Sequence, residues 1–431
     1  MRNRFFLNKA PLVAGVLFIF CLLGNDKLKA QEIITLSLCQ AEELALENNY
    51  DLLASVSRLQ QSYYGYRSTK TYFHPAISYS SNANMGSSMA KGTYRLDNLL
   101  QVTQPIFDKT AAYLLKEAEI NWERQRLQVQ QQICETLFKV RNAFHALLLH
   151  QAHLAVDKMI LEIWEAESLR QERYLNLGSA IALEFTQAQL QLKRARIDCC
   201  ATESDIRSSQ IRLLTLLGLS PGIVLHLTEK ESSFTIPQWR AFNLEEWKKL
   251  AFQYSPQLKQ EQLNYALMKT KISRIKAERL PTLSAYASAG HNYVTNGFTF
   301  QHSAGVGVNI DWMLYDPTHR PRIKQAKEEE REAVISHNQI KIEVEAMIYD
   351  GLNRIEKSYQ AYLVSNEEAF LAEESMRMAT KKQELGLITP FEYRDVIETL
   401  HEAKQRVNQA IFDVRNNYDL LVQQVGFDLR S

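Results

Sequence analysis

Few side chains in this sequence are spaced for chemistry. His145, His150 and His153 lie close together, and His150 and His153 are three apart, so on a helix they share a face. No neighbouring acid or cysteine completes a zinc set, and these histidines read as one helix face rather than a metal site. Glu392 and Asp395 are also three apart, placing two carboxylates on one side of a helix, as a solvated acidic pair or a cation-facing one. The phosphate-cradling patterns GxxxxGK[ST] and GxGxxG are absent, so the chain carries no recognisable nucleotide-phosphate site of its own. Arg320, Arg322 and Lys324 read as an exposed helix start rather than a nucleic-acid patch. No nucleophile and base stand out as a pair, no cofactor is implied, and an enzyme is the weakest reading.

The elements that would position these residues are long helices. The 431 residues include only 15 Gly and 10 Pro, and 45% are apolar. With 50 basic and 49 acidic residues the net charge is +1, which gives no electrostatic footprint for nucleic acid. Residues 1–30 read as a secretory signal peptide: Arg2, Arg4 and Lys9 precede an apolar stretch, Ala10 to Leu23, and Leu28 and Ala30 offer a cleavage site before Gln31. That apolar core is shorter than the ~20 residues a membrane-spanning helix needs. The mature chain keeps Cys39, Cys134, Cys199 and Cys200, expected to be small buried residues on helices, since no CxxC spacing suggests a metal.

The mature chain is one unit written twice. At an offset of 206, Leu38, Leu44, Ala45, Leu52 and Pro75 align with Leu244, Leu250, Ala251, Leu258 and Pro281. At an offset of 208, Phe107, Asp108, Gly178, Glu184 and Gly218 align with Tyr315, Asp316, Gly386, Glu392 and Gly426. An internal duplication follows, with a first repeat at 31–218, a linker at 219–243 and a second repeat at 244–431. Each repeat reads as helix, β-hairpin, long helix, helix. Residues 108–176 contain neither Gly nor Pro, and as one helix they would span on the order of 100 Å. Ile133, Leu137, Val140, Phe144 and Leu147 form a coiled-coil seam, repeated by Ile348, Leu352, Ile355, Tyr359 and Tyr362. The flanking helices, 36–70 and 179–217, are expected to stack end to end along the long one, because a helix of that length is unstable uncovered.

Between short and long helices the period falls to 2. Tyr94, Leu96, Asn98, Leu100 and Val102 form a mostly apolar face and alternate with Arg95, Asp97, Gln101 and Thr103. In the second repeat Phe298, Phe300, Ala304, Val306, Val308, Ile310 and Trp312 alternate with polar or small residues, broken only by His302. With weaker alternation at Ile77 to Met85 and Leu283 to Ala289, each repeat carries a hairpin, with loops near Gly86 to Gly92 and Asn292 to Gly297. Four strands of this length can cross an outer membrane but cannot close into a barrel. Several chains must therefore pool them: two would give eight strands and three would give 12.

These features resemble TolC-type outer-membrane efflux proteins. The resemblance rests on the openings LSLCQAEELALENNYDL (36–52) and FNLEEWKKLAFQYSPQL (242–258), the duplication, and the Leu-Gly turns at 177–178 and 385–386. It implies a mainly α fold with a small β part: a homotrimer whose long coiled-coil helices form an α-barrel and whose four strands per chain make a shared 12-stranded barrel in outer-membrane lipid. It implies a passive exit duct of a tripartite efflux or type I secretion system, opened by a periplasmic adaptor and an inner-membrane transporter. By the same resemblance, Leu177, Gly178, Ser179, Leu385, Gly386 and Leu387 are adaptor-docking tips. Glu392 and Asp395 form the pore constriction, and Glu184 is a closed-state contact. The family's tyrosine and arginine latch partners are replaced by Gln383 and Ile388, so a closed-state latch must differ here. The competing reading is a secreted coiled-coil scaffold whose hairpins stay in water.

Overall fold

The structure is a computed structural model that describes residues 33–88, 91–177, 182–228, 243–294 and 299–426. The expected signal peptide, Gly178, Ser179, Phe298 and most of the expected linker lie outside the described residues. The first half runs β1 (Ile33–Leu36), α1 (Leu38–Asn48), α2 (Tyr50–Lys70), β2 (Ala76–Ser88), β3 (Lys91–Phe107), α3 (Lys109–Asn176) and α4 (Ala182–Leu216). After β4 (Val224–Leu227) the pattern repeats as α5 (Leu244–Tyr254), α6 (Pro256–Ala277), β5 (Thr282–Val294), β6 (Thr299–Asp311), α7 (His319–Glu384) and α8 (Pro390–Val425). Arg320, Arg322 and Lys324 fall in the first turns of α7, where Arg322 pairs with Glu278 at 2.7 Å.

The long helices α3 and α7 have 68 and 66 residues, as the lack of helix breakers in the first of them required. Their flanking helices differ from expectation, because the helix anticipated over 36–70 is broken. Asn49 leaves the helical region with ψ 121°, accepts the Leu52 N–H at 3.1 Å as the N-cap of α2, and donates from Nδ2 to the Leu216 carbonyl at 2.9 Å. One buried amide thus caps α2 and fastens the end of α4 against the end of α1. Gly218, at φ +68°, completes the joint: a methyl there would sit 2.5 Å from the Asn48 carbonyl oxygen. The second half repeats it. Gly426, at φ +72°, caps α8 and lies against Tyr254 and Pro256, where α5 gives way to α6. α2 and α4 therefore meet end to end at this joint, and α1, α2 and α4 all contact α3.

The joints coincide with the apolar core. Val140, Phe144 and Leu147, near the middle of α3, are fully buried with Ala41, Ala45, Leu213 and Leu217. Ile348 and Ile355 of α7 are buried with Trp247, Ala251 and Leu421. The first core is closed by a parallel pair of strands that periodicity did not reveal, β1 with β4, in the register Ile33↔Val224 to Leu36↔Leu227. β4 lies inside the stretch expected to be linker. Of the four cysteines only Cys199 is buried; Cys39 and Cys200 are exposed and Cys134 is half-buried, correcting the expectation that all are core residues. Adjacent helical positions point about 100° apart, so Cys200 must face outward if Cys199 faces in.

At the other end, the two hairpins form a single antiparallel sheet in the order β2-β3-β5-β6. β3 pairs with β5 from Arg95↔Val294 onward, leaving β2 and β6 outermost. The strands are longer at the hairpin ends than alternation suggested, and β6 stops one residue before Trp312, whose Nε1 instead donates to the Arg279 carbonyl at 3.0 Å.

Candidate functional site: tip, aperture and barrel wall

The tip of the second repeat is built by a glycine. Gly386 has φ +66°, its N–H donates to the Gln383 carbonyl at 3.1 Å, and the Leu387 N–H donates to the Lys382 carbonyl at 2.8 Å. This paired closure satisfies the last carbonyls of α7 and needs a residue that tolerates the left-handed region. The turn leaves Leu385 and Leu387 more than 70% exposed, with Phe391 exposed beside them. In the first repeat Leu177 caps α3 and is 75% exposed, and Leu183 at the start of α4 is exposed as well. Both tips thus present leucines to solvent on helical corners.

Glu392 and Asp395 are exposed on the first turns of α8. The Glu392 carboxylate is engaged within its own chain: it accepts the Thr389 N–H at 2.9 Å and the Thr389 hydroxyl at 2.8 Å, while Thr389 Oγ1 accepts the Glu392 N–H at 3.3 Å. These bonds hold its pKa below the usual carboxylate range. Asp395 keeps its carboxylate outside that cap. Glu184 is half-buried in a groove with Glu167, Gln171, Phe391 and Arg394.

A residue that joins the repeats near the tip is Glu167, which sequence reasoning missed. It is 5% exposed and accepts from Gln171 Nε2 at 2.8 Å and from Gln383 Nε2 at 2.7 Å, with Arg170 at 3.5 Å. The second bond crosses from α7 to α3. Its signal in the sequence was Gln383 itself, standing where the resemblance placed a latch tyrosine. Below it, Ile160 and Trp164 of α3 pack with Ala195 of α4, Ala379 of α7, and Tyr393 and Ile397 of α8, so all four helices share one apolar cluster. Burial raises the Tyr393 pKa.

Two further polar knots tie α8 to α3. Asp157 Oδ1 lies 2.7 Å from His401 Nε2 and accepts from Gln405 at 3.0 Å, while Oδ2 accepts from Thr202 of α4 at 2.6 Å. Burial pushes the Asp157 pKa up, but these hydrogen bonds outweigh it and hold the group below its ordinary value. Near mid-height, Asp419 lies 3.8 Å from both Arg141 and His145. Burial lifts its pKa to about 6 against the pull of Arg141 and Arg415. Burial and the same two arginines lower the His145 pKa to about 3, so His145 is neutral and makes no ion pair with Asp419. Among the described residues no group of three or more His, Cys, Asp and Glu is placed to hold a metal ion.

The four-stranded sheet has two chemically distinct faces. Across the strands, Ile77, Tyr79, Met85, Leu96, Leu100, Val102, Val306, Val308 and Ile310 share one face by register. Several are widely exposed in the single chain, Val306 at 86% and Ile77 at 72%. The opposite face carries Ser78, Asn82, Arg95, Asp97, Gln101, Thr103, Ser288 and Asn309. An apolar outer face and a polar inner one are what a transmembrane β-barrel wall presents to lipid and to water. No helix among the described residues is long and apolar enough to cross a membrane.

A barrel-wall sheet continued by paired helices on the order of 100 Å long defines a channel that crosses the outer membrane and extends into the periplasm. The chain belongs to the outer membrane efflux protein family, whose model matches residues 42–219 and 247–426. It is similar to the alkaline protease secretion protein AprF of Pseudomonas aeruginosa, 20% identical over 89% of this chain and 83% of AprF. Among solved structures it is similar to CusC, with a TM-score of 0.78 at 14% identity over 91% of this chain and 92% of that one. It is also similar to the outer membrane protein VceC of Vibrio cholerae, with a TM-score of 0.74 at 13% identity over 90% and 96%. The family and these neighbours are channels, not enzymes, and the chain is an outer-membrane exit duct of the efflux and secretion class.

Proposed function

We propose that three copies of this chain form a passive conduit, opened when a periplasmic adaptor and an inner-membrane transporter dock at its helical tips. The observation that carries this reading is the sheet. It has one apolar face, one polar face and two outermost strands, β2 and β6, and four strands cannot enclose a lumen. Pairing β6 of one copy with β2 of the next removes the open edges, which lipid does not tolerate. Similarity to TolC-type channels supports three copies and 12 strands. The exposed leucines 177, 385 and 387, with Gly178, Ser179 and Gly386, serve as the docking tips. Asp395 and Glu392 line the constriction, with Asp395 the freer of the two to meet a cation. The Gln383–Glu167 bond takes the place of the family's latch in holding α7 against α3, with Glu184 in the adjoining groove. AprF is a protease secretion protein, which supports type I secretion as one use of this duct. Native mass measurement in detergent tests the assembly: a trimer is expected, and a stable barrel-containing monomer would overturn it.

A further inference from the structure

The apolar face of the sheet is interrupted by one polar row. Ser81, Asn98, His291 and His302 stand side by side across all four strands, through the pairings Ser81↔Asn98, Asn98↔His291 and His291↔His302. The next row on one side is Tyr79, Leu100, Ala289 and Ala304, and on the other it includes Ala83, Leu96 and Tyr293. Polar side chains on a lipid-facing band are expensive there and mark function. The Tyr79 hydroxyl donates to Asn98 Oδ1 at 2.9 Å, so part of the row is satisfied within the sheet. His291 and His302 are direct cross-strand partners, and their rings stack with centroids 4.7 Å apart at an interplanar angle of 28°.

We propose that His291 and His302 form a binding site for a first-row divalent transition-metal ion, of the Ni²⁺, Cu²⁺ or Zn²⁺ type. Imidazole suits these ions. Metal–nitrogen bonds of roughly 2.0–2.1 Å require the two ligand nitrogens to be roughly 3–4 Å apart. Stacked rings on directly opposed residues reach that separation by rotating about χ2, a broad torsion in histidine. The antiparallel register fixes the two Cα atoms, so little backbone ordering is lost on binding. Tyr293 and Tyr94 lie in the rows beyond, toward the hairpin ends. Aromatic rings of this kind mark the membrane interface, where water supplies the remaining ligands and screens the charge. With two protein ligands the site is open and exchangeable, unlike a closed four-ligand structural centre. Its effect is to staple β5 to β6 when the ion is present, since an ion that binds only the folded sheet stabilises it.

The test uses the full chain purified in detergent and stripped with a chelator, titrated with NiCl₂ by calorimetry and with CuCl₂ by electron paramagnetic resonance at pH 7.5. The expected result is one ion per chain, nitrogen hyperfine structure from two imidazoles, and an ion-dependent rise in melting temperature. His291→Asn and His302→Asn should each weaken binding at least tenfold and abolish that rise, whereas a His150→Asn/His153→Asn double variant should leave both unchanged. Binding in either single variant equal to wild type, or no binding to wild type at about 1 mM Ni²⁺, overturns the proposal. Should both single variants fail to assemble, the copper spectrum of the His150→Asn/His153→Asn protein decides: two-imidazole hyperfine supports the site, and its absence sinks it.

Discussion

Removing the Gln383 donor tests whether the two repeats are latched through Glu167. Gln383→Met keeps the side-chain length and volume but deletes the 2.7 Å bond from α7 to the buried Glu167 carboxylate. A hydrogen bond to a charged acceptor contributes about 1.5–3 kcal/mol. Glu167 retains Gln171 and Arg170, so its charge is not stranded and the fold should survive. Taking ~2 kcal/mol, the ratio of released to latched tip shifts roughly 30-fold per protomer, because each 1.4 kcal/mol is a factor of ten. Single-channel recording in planar bilayers reads this as longer and more frequent high-conductance openings. Glu167→Gln, which keeps an acceptor oxygen without the charge, should fall between wild type and Gln383→Met. Conductance records identical to wild type, from a protein that still forms its oligomer, would refute the latch. A change accompanied by a large drop in helix melting temperature would refute it too, by showing general loosening.

Gly218→Ala should destabilise the chain by about 2–4 kcal/mol in denaturant unfolding, combining a disfavoured left-handed backbone with a clash on the Asn48 carbonyl. Gly386→Ala, where a methyl meets nothing within 4 Å, should cost only about 1–2 kcal/mol, while Gly386→Trp should abolish adaptor binding in a pull-down without loss of the oligomer. Asp419 has a folded pKa of about 6, above its unfolded value, so its contribution is most favourable at low pH and is lost as pH rises through about 4 to 6. The stability of wild type minus that of Asp419→Asn should therefore fall by about 3 kcal/mol between pH 3.5 and pH 7. Replacing Asp395 by Asn and Glu392 by Gln should weaken cation selectivity, read as a smaller reversal potential under a salt gradient, with Asp395→Asn responsible for most of the change.

The long helices and the sheet were legible because each leaves a one-dimensional trace: no Gly or Pro from 108 to 176, and a period of 2 through Val306, Val308 and Ile310. The joint at Asn49 left no such trace. A polar Asn in a helical pattern looks like one more exposed position, and only its bond to Leu216, 167 residues away, makes it a cap and a clamp. β1 and β4 are four residues each and pair across the whole first repeat, too short for periodicity and too distant for a turn signal. At the tip, Thr389-Pro-Phe-Glu392 carries the S/T-x-x-E capping pattern, and the Glu392 carboxylate closes that capping box as well as carrying charge. Gln383 departs from the family pattern, but its partner Glu167 lies on a different helix from the acid that resemblance suggests, and packing alone brings them together.

The two joints carry a consequence for how such a molecule can change size. α3 runs unbroken past the place where Asn49 and Gly218 interrupt its companions, and α7 runs past Gly426 in the same way. Insertion of one heptad into α3 alone would push its tip outward by about 10.5 Å and leave a gap along one neighbour. The gap closes only if α4 or α2 gains the same heptad and the second repeat follows with matched insertions in α7 and its own companions. Reach across the periplasm is thus inherited in coordinated steps of four helices. A lineage facing a wider envelope would be expected to lengthen all four together, by whole heptads, or not at all.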